Sequence, residues 1–330
     1  MNFVLQIFKS SYFSIVILFF CNLAINANEL TPKRIMSLSP SITEILFEIG
    51  SENQVIAVDS LSNFPPEAPK TKISAYEPNV ETISLYKPDL VILSFNIRNL
   101  KEALSKLGIE TIYLPAPNNF EQILDQIDLL GKRTGNTKKA QKLILNMQNK
   151  MKAFVSLRKN KDPIKVYHEI DQNYYSPSKF SFIGDIYQKM NFKNIADSAD
   201  ISGLGYPKLS PELIISENPE LIILPGKNEK YSELLKSRSG WSYIKAVKEN
   251  NIILLQKDIA SRWGPRILDF VNILKYYQDH FQVSLLLLLY KLLLQLKLRR
   301  VFFSTDLVLH PYQLQNFEQI QFLLPLDRKS

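Results

Sequence analysis

One phrase occurs twice in this chain, and a phrase repeated at such a distance calls for a repeated fold. It runs Asn79-Val-Glu-Thr-Ile-Ser-Leu-Tyr-Lys-Pro-Asp-Leu-Val-Ile-Leu93 and then Ser210-Pro-Glu-Leu-Ile-Ile-Ser-Glu-Asn-Pro-Glu-Leu-Ile-Ile-Leu224. In each copy a glutamate, Glu81 or Glu212, stands two residues after a capping residue, Asn79 or Ser210, and seven before a proline, Pro88 or Pro219. Both copies read as cap, short helix, proline turn and buried strand. The chain is therefore expected to form two similar α/β lobes, and such a protein most naturally holds its ligand in the cleft between them.

The 330 residues suffice for two domains with cores of their own. The first stretch has a different character. An apolar run from Tyr12 to Cys21 follows Lys9 and leads through Leu23-Ala24-Ile25-Asn26-Ala27 to a small residue suited to signal-peptidase cleavage. Residues 1–27 read as a secretory signal, too short to span a membrane comfortably. Phe20 is far larger than the residue that precedes a lipidated cysteine, so simple secretion ranks above lipid anchoring at Cys21. With Cys21 the only cysteine, the mature chain would carry neither disulfides nor thiolate metal sites. The net charge of +8 is shared among the leader, the C-terminal tail and a long central region without basic-aromatic clusters, which argues against nucleic-acid binding.

Periodicity then lays out the lobes. Arg34–Ser39, Val55–Val58, Thr111–Leu114, Lys165–Ile170 and Ile252–Leu255 are predicted strands, to which each repeat adds another. Predicted helices cover Pro40–Gly50, Leu100–Leu107, Phe120–Leu130, Ile183–Met190, Tyr231–Leu235, Trp241–Val247 and Ile267–Phe281. Strands separated by helices of this length predict a parallel sheet covered on both faces. From Asn136 to about Leu157 the apolar positions Ala140, Leu143, Ile144, Met147, Met151 and Phe154 recur at helical spacing. That helix would be roughly 30 Å long at about 1.5 Å per residue, enough to join two lobes, although it would equally serve as a packing helix of one. The expected order is a signal over 1–27, an N-terminal lobe over 28–135, an interlobe helix over 136–160, a C-terminal lobe over 161–281 and an atypical leucine-rich tail over 282–330.

Enzyme constellations are missing from the sequence. His168, His280 and His310 show no metal-binding spacing, and neither a glycine-rich phosphate loop nor a GxSxG elbow is present. What stands out are aromatic residues in loops ahead of the repeat helices. Tyr76 lies five residues before Glu81 and Tyr206 six before Glu212, which puts both rings at the same end of their lobes. Tyr174 and Tyr175 occupy another polar loop, and Trp263 sits in Arg262-Trp-Gly-Pro-Arg266. Rings on a cleft wall can stack on a flat ligand, and Arg262 could meet its carboxylate or phosphate groups.

Several segments together resemble the periplasmic substrate-binding proteins of cobalamin and iron-siderophore ABC importers, over about residues 33 to 281. They are Arg34-Ile-Met-Ser-Leu-Ser-Pro-Ser-Ile-Thr-Glu44, Phe64-Pro-Pro66, Lys87-Pro-Asp-Leu-Val-Ile92, Trp241-Ser-Tyr-Ile-Lys-Ala-Val247 and Arg262-Trp-Gly-Pro-Arg-Ile267. The cobalamin-binding branch is the nearest pattern. The resemblance implies two Rossmann-like lobes joined by one long α-helix, no catalytic activity and no resident cofactor. It implies a monomer that delivers cobalamin to a permease with its ATPase. It also implies that Glu81 and Glu212 dock on permease arginines and that Tyr76, Tyr175, Tyr206, Arg262 and Trp263 line the pocket. A pocket tyrosine of that branch is replaced by Leu61, two of its tryptophans by Tyr76 and Tyr206, and Trp263 stands where many relatives have proline. Haem, ligated by a tyrosinate such as Tyr76, or a ferric siderophore is the alternative cargo, and an enzyme on two Rossmann-like lobes ranks below both.

Overall fold

The computed structural model describes residues 31–156, 162–226 and 230–279. The signal expected over 1–27 with Cys21, the histidines 280 and 310, and the leucine-rich tail over 282–330 lie outside the described residues. The chain divides into a unit over 1–275 that holds both sheets and a unit over 276–330.

The first half alternates strand and helix: β1 (Ile35–Leu38), α1 (Pro40–Glu48), β2 (Val55–Val58), α2 (Val80–Leu85), β3 (Leu90–Leu93), α3 (Leu100–Lys106) and β4 (Glu110–Tyr113). Two helices follow, α4 (Phe120–Arg133) and α5 (Thr137–Ser156). The second half repeats the scheme with β5 (Ile164–His168), α6 (Phe182–Lys189), β6 (Phe192–Asn194), α7 (Pro211–Glu217), β7 (Leu221–Pro225), α8 (Lys230–Ser237), α9 (Lys245–Lys248), β8 (Ile252–Leu255) and α10 (Lys257–Ser261). A last helix, α11, begins at residue 267.

Both sheets are parallel and share one strand order, β2-β1-β3-β4 in the first and β6-β5-β7-β8 in the second. Ile35 pairs with Leu90 in one sheet and Val166 with Leu221 in the other, so each repeat copy supplies the strand beside its lobe's first strand. β1 and β3 are buried at every position, as strands covered by helices on both faces must be. Met36, Leu38, Val91, Ile83 and Leu104 form one core. Tyr167, Ile222, Leu224, Trp241 and Ile244 form the other. The repeat helices start where the capping residues stand, because Asn79 accepts from the Thr82 N–H and Ser210 from the Leu213 N–H.

Helix α5 bears out the periodicity, with Ala140, Leu143, Met147 and Met151 buried along one stripe. It runs antiparallel beside α4 and lies between the two sheets in chain order. Three elements differ from expectation. The helix predicted over Trp241–Val247 is a 3-10 turn at Trp241–Tyr243 followed by the short α9. Ile244, with extended backbone between them, separates the two. Neither β6 nor α10 was predicted, since Phe192-Lys-Asn194 offers no apolar run and Lys257–Ser261 is barely more than one turn.

Helix α6 is seated on the loop before it. Ser181 caps the Gly184 N–H at 3.1 Å and donates to the Ser178 carbonyl at 2.7 Å. A Cβ on Gly184 would lie 1.9 Å from that same carbonyl oxygen, which is backbone and has nowhere to go. Gly184→Ala is expected to destabilise the protein by about 1–3 kcal/mol through overpacking, measured as a fall in the urea midpoint at constant slope.

Candidate functional site

In an open parallel sheet the crevice for a ligand lies beyond the carboxyl ends of the strands, where the chain order reverses. Here the reversal falls between β1 and β3 in one lobe and between β5 and β7 in the other. A cavity opens at each. The first, of about 350 Å³, is lined by Ser39 after β1, Ser94 and Phe95 after β3, Leu61 and Tyr76 from loops, and Asp258, Ser261, Arg262 and Trp263 after β8. The second, of about 130 Å³, is walled by His168 at the end of β5, Glu169 and Ile170 after it, Tyr206, Pro225 and Leu255. Ser261 lines both, so α10 is their shared wall.

Behind the Leu61 loop runs a chain of buried hydroxyls. Thr43 Oγ1 donates to Ser37 Oγ at 2.9 Å and lies 3.0 Å from Ser62 Oγ. Ser62 in turn donates to Asp59 at 2.5 Å, and the Asp59 carboxylate also takes the Leu61 N–H at 2.8 Å. This network holds the loop that carries Leu61. Burial raises the Asp59 carboxyl above its ordinary range, and these hydrogen bonds together with the nearby Arg262 charge pull it back.

The two lobes meet at a buried ion cluster. Glu44 of α1 is 3% exposed and receives Arg262 at 2.8 Å and Arg266 at 2.6 and 2.9 Å. Arg262 also donates to the Leu61 carbonyl at 2.9 Å and lies 3.3 Å from Asp258. Arg266 stacks over the Phe64 ring at 4.1 Å. Further along the seam, Asp185 of α6 accepts the Phe120 N–H at the start of α4, and Lys189 pairs with Glu121 at 3.0 Å.

The expected site residues separate accordingly. Tyr76 is 60% exposed on the first cavity, where its ring centroid lies 4.7 Å from that of Phe95. Phe95 escaped the sequence reading because it follows the strand of a repeat instead of preceding its helix. Tyr206 lines the second cavity, and burial pushes its hydroxyl up to about 12 against the opposing hydrogen bond with Ser181. Tyr175 is exposed beside a backbone bridge to Lys208. Arg262 and Trp263 both line the first cavity and are at the same time engaged within the protein. The Arg262 guanidinium is paired with Glu44, the Leu61 carbonyl and Asp258, so it also ties the lobes together. Trp263 is 9% exposed, with its indole N–H on Gln126 at 3.0 Å and its ring in a T-shaped pair with Phe182. Tyr174 packs into the second core, where its ring and that of Trp241 flank Arg238 at 5.0 and 4.5 Å. Arg238 reaches the fully buried Glu169 at 2.5 and 2.9 Å.

Glu81 and Glu212 sit in the first turns of α2 and α7, both exposed, and neither carboxylate has a partner among the described residues. Each helix precedes a strand and runs antiparallel to it. Its N-terminus therefore lies on the same side of the sheet as the cavity. Glu44 was missed as a site residue because the helix around it reads as apolar. The available signal was a carboxylate among Ile42, Ile45 and Leu46, which requires a buried cation. Among the described residues no cluster of three His, Cys, Asp or Glu side chains is placed to hold a metal ion. No helix among them is long and apolar enough to cross a membrane.

Comparison with known proteins agrees with this architecture. A family model described as periplasmic binding protein matches residues 35–259. An ABC transporter substrate-binding lipoprotein of Bacillus subtilis is 30% identical over 267 residues, 76% of this chain and 82% of its own. A vitamin B12-binding protein of Salmonella choleraesuis is 29% identical over 241 residues, 71% of this chain and 86% of its own. The solved periplasmic heme-binding protein of a Roseiflexus species shares the fold, with a TM-score of 0.64 at 22% identity over 74% of this chain and 97% of its own. These relatives are binding proteins, and the two matched by sequence are not enzymes by description.

Removing the carboxylate of Glu44 would leave two arginines facing each other in the seam. Glu44→Ala is expected to lower the unfolding free energy by about 3–5 kcal/mol, read from urea denaturation. A pH effect follows from His168, which burial pushes down to about 3 from 6.5 and which contacts the Tyr187 hydroxyl at 2.8 Å. The unfolded chain binds that proton below pH 6.5 and the native chain does not, so stability is full above this value and lost as pH falls. The loss from this one group should reach about 2 kcal/mol by about pH 5, and a His168→Gln variant should show a correspondingly shallower decline.

Proposed function

The chain belongs to the periplasmic binding protein family, and on that premise we propose that it is the exported substrate-binding subunit of an ABC importer that carries a corrinoid. The observation that carries this reading is the matched pair of cavities. Each opens at the reversal point of its own sheet, each presents a tyrosine, and they share the wall at Ser261. A flat macrocycle held between Tyr76 with Phe95 on one lobe and Tyr206 on the other would bury both of its faces, with Tyr175 at the margin. The vitamin B12-binding relative supports cobalamin as that macrocycle.

Haem held through a tyrosinate, or a ferric siderophore, is the alternative cargo. Tyr76, exposed on the first cavity, is the tyrosine that would supply the phenolate in that case. Arg262 acts in this reading by holding the Leu61 loop and α10 in place around the ligand, and Trp263 by fixing the seam behind them.

Glu81 and Glu212 would dock the loaded protein on arginines of the permease, which works with its ATPase. Support comes from their equivalence. Both are exposed, both follow an engaged cap, and both stand on the cavity side of their lobes. A carboxylate in a first helical turn also gains from the helix dipole, by about 0.3–1 kcal/mol, which explains a single occurrence but not a matched pair.

Calorimetric titration of the purified protein with cyanocobalamin, haem and ferric siderophores tests the cargo. Cyanocobalamin should bind tightest, and preference for another ligand would refute the corrinoid while leaving the carrier role. Combined Glu81→Lys and Glu212→Lys exchange should abolish uptake in cells while holding ligand affinity within about twofold, since rim charges steer docking. An affinity that collapses together with uptake would remove the docking role.

A further inference from the structure

The hydroxyl of Ser94, unlike those of Ser41, Thr43 and Ser62, is buried beside the first cavity with no partner among the described residues. Thr43 and Ser62 are engaged with each other and with their neighbours, and Ser41 accepts the Trp263 N–H at 3.1 Å. Ser94 is 6% exposed, its Oγ has no hydrogen-bond partner in the protein, and it lines the cavity. A buried hydroxyl without a partner is rare, because its water contacts are lost with nothing in exchange. It stands directly after β3 at the reversal point of the sheet, next to Phe95, whose ring pairs with Tyr76.

Charge around the site is already balanced. Arg262 and Arg266 face Glu44 and Asp258, and Arg238 faces Glu169. A ligand group arriving here finds hydroxyls and rings. An anionic group would meet Asp258 and cations that are already paired.

Resting on the corrinoid reading above, we infer that Ser94 is a ligand-anchoring residue whose hydroxyl hydrogen-bonds an uncharged carboxamide on the edge of the macrocycle, in a cleft that discriminates against a carboxylate at that position. A carboxamide both donates and accepts, so it satisfies the hydroxyl in either orientation. The rings of Tyr76 and Phe95 would hold the macrocycle face beside it, so stacking and anchoring act on different parts of the ligand. Discrimination of this kind is strong when a site's polar group is left unpaired by the wrong ligand.

The test is calorimetric titration of the full protein and of Ser94→Ala and Ser94→Cys with cyanocobalamin and with its monocarboxylate derivatives, each carrying one carboxylate in place of a peripheral carboxamide. Both variants should bind cyanocobalamin about tenfold more weakly while their urea midpoints stay level or rise, since the partnerless hydroxyl contributes nothing to the free fold. At least one monocarboxylate should bind the wild type about tenfold more weakly than cyanocobalamin, with a smaller gap in the variants. Wild-type affinity in both variants, or monocarboxylates that all bind like cyanocobalamin, would overturn the anchor and leave the corrinoid reading standing. A wild type that binds no corrinoid would overturn both.

Discussion

Everything in the cleft depends on a carboxylate that is nowhere near solvent. Glu44 cannot remain charged in the seam unless cations reach it, and Arg262 and Arg266 arrive from the far end of the chain to do so. Their arrival fixes the path of 262–266 across the N-terminal lobe, where the Trp263 amide meets Ser41 and the indole meets Gln126. The same guanidinium that neutralises Glu44 grips the Leu61 carbonyl, so one ion cluster sets both the lobe contact and a cavity wall. Breaking such a cluster on one side is strongly destabilising, whereas replacing it whole by apolar groups is often neutral. The arrangement therefore favours a definite lobe geometry more than it adds net stability.

That geometry turns a duplicated fold into a cleft. Each sheet alone reverses its strand order between its first and third strands and leaves a crevice there, a consequence of right-handed crossovers on either side of the starting strand. Two such crevices brought together around α10 make a site with two walls of different chemistry. The first is rich in hydroxyls and carries the Tyr76–Phe95 ring pair, and the second is small and mostly apolar around Tyr206. The corrinoid proposed above would present flat faces and a polar periphery to these walls. The exposed glutamates stand outside this enclosure, at the starts of helices whose caps are already engaged, where docking on a permease is proposed for them.

Much of this was legible in the chain. Capping residues, proline turns and apolar runs located the strands of both lobes, because backbone hydrogen bonding and strand burial depend on residues close in sequence. The repeat anticipated that Tyr76 and Tyr206 would line cavities at equivalent ends. Short elements escaped, since Phe192-Lys-Asn194 becomes a strand only by pairing with β5, and Lys257–Ser261 becomes a helix only in the turn after β8. Phe95 and Ser94 were passed over because the end of a buried strand announces no function until the adjacent loops have closed around it.

The sequence by itself determined two parallel α/β lobes, the helix of α5 and the equivalent placement of the glutamate pair, all of which follow from local periodicity and from one phrase written twice. Only the tertiary structure decided what Arg262 and Trp263 do. Nothing local to either residue reveals that a carboxylate 218 positions away lies within 2.8 Å, or that Gln126 waits for an indole. Whether an arginine faces a ligand or a buried glutamate depends on which charge comes nearest in space, and that proximity exists only after both lobes have folded and met.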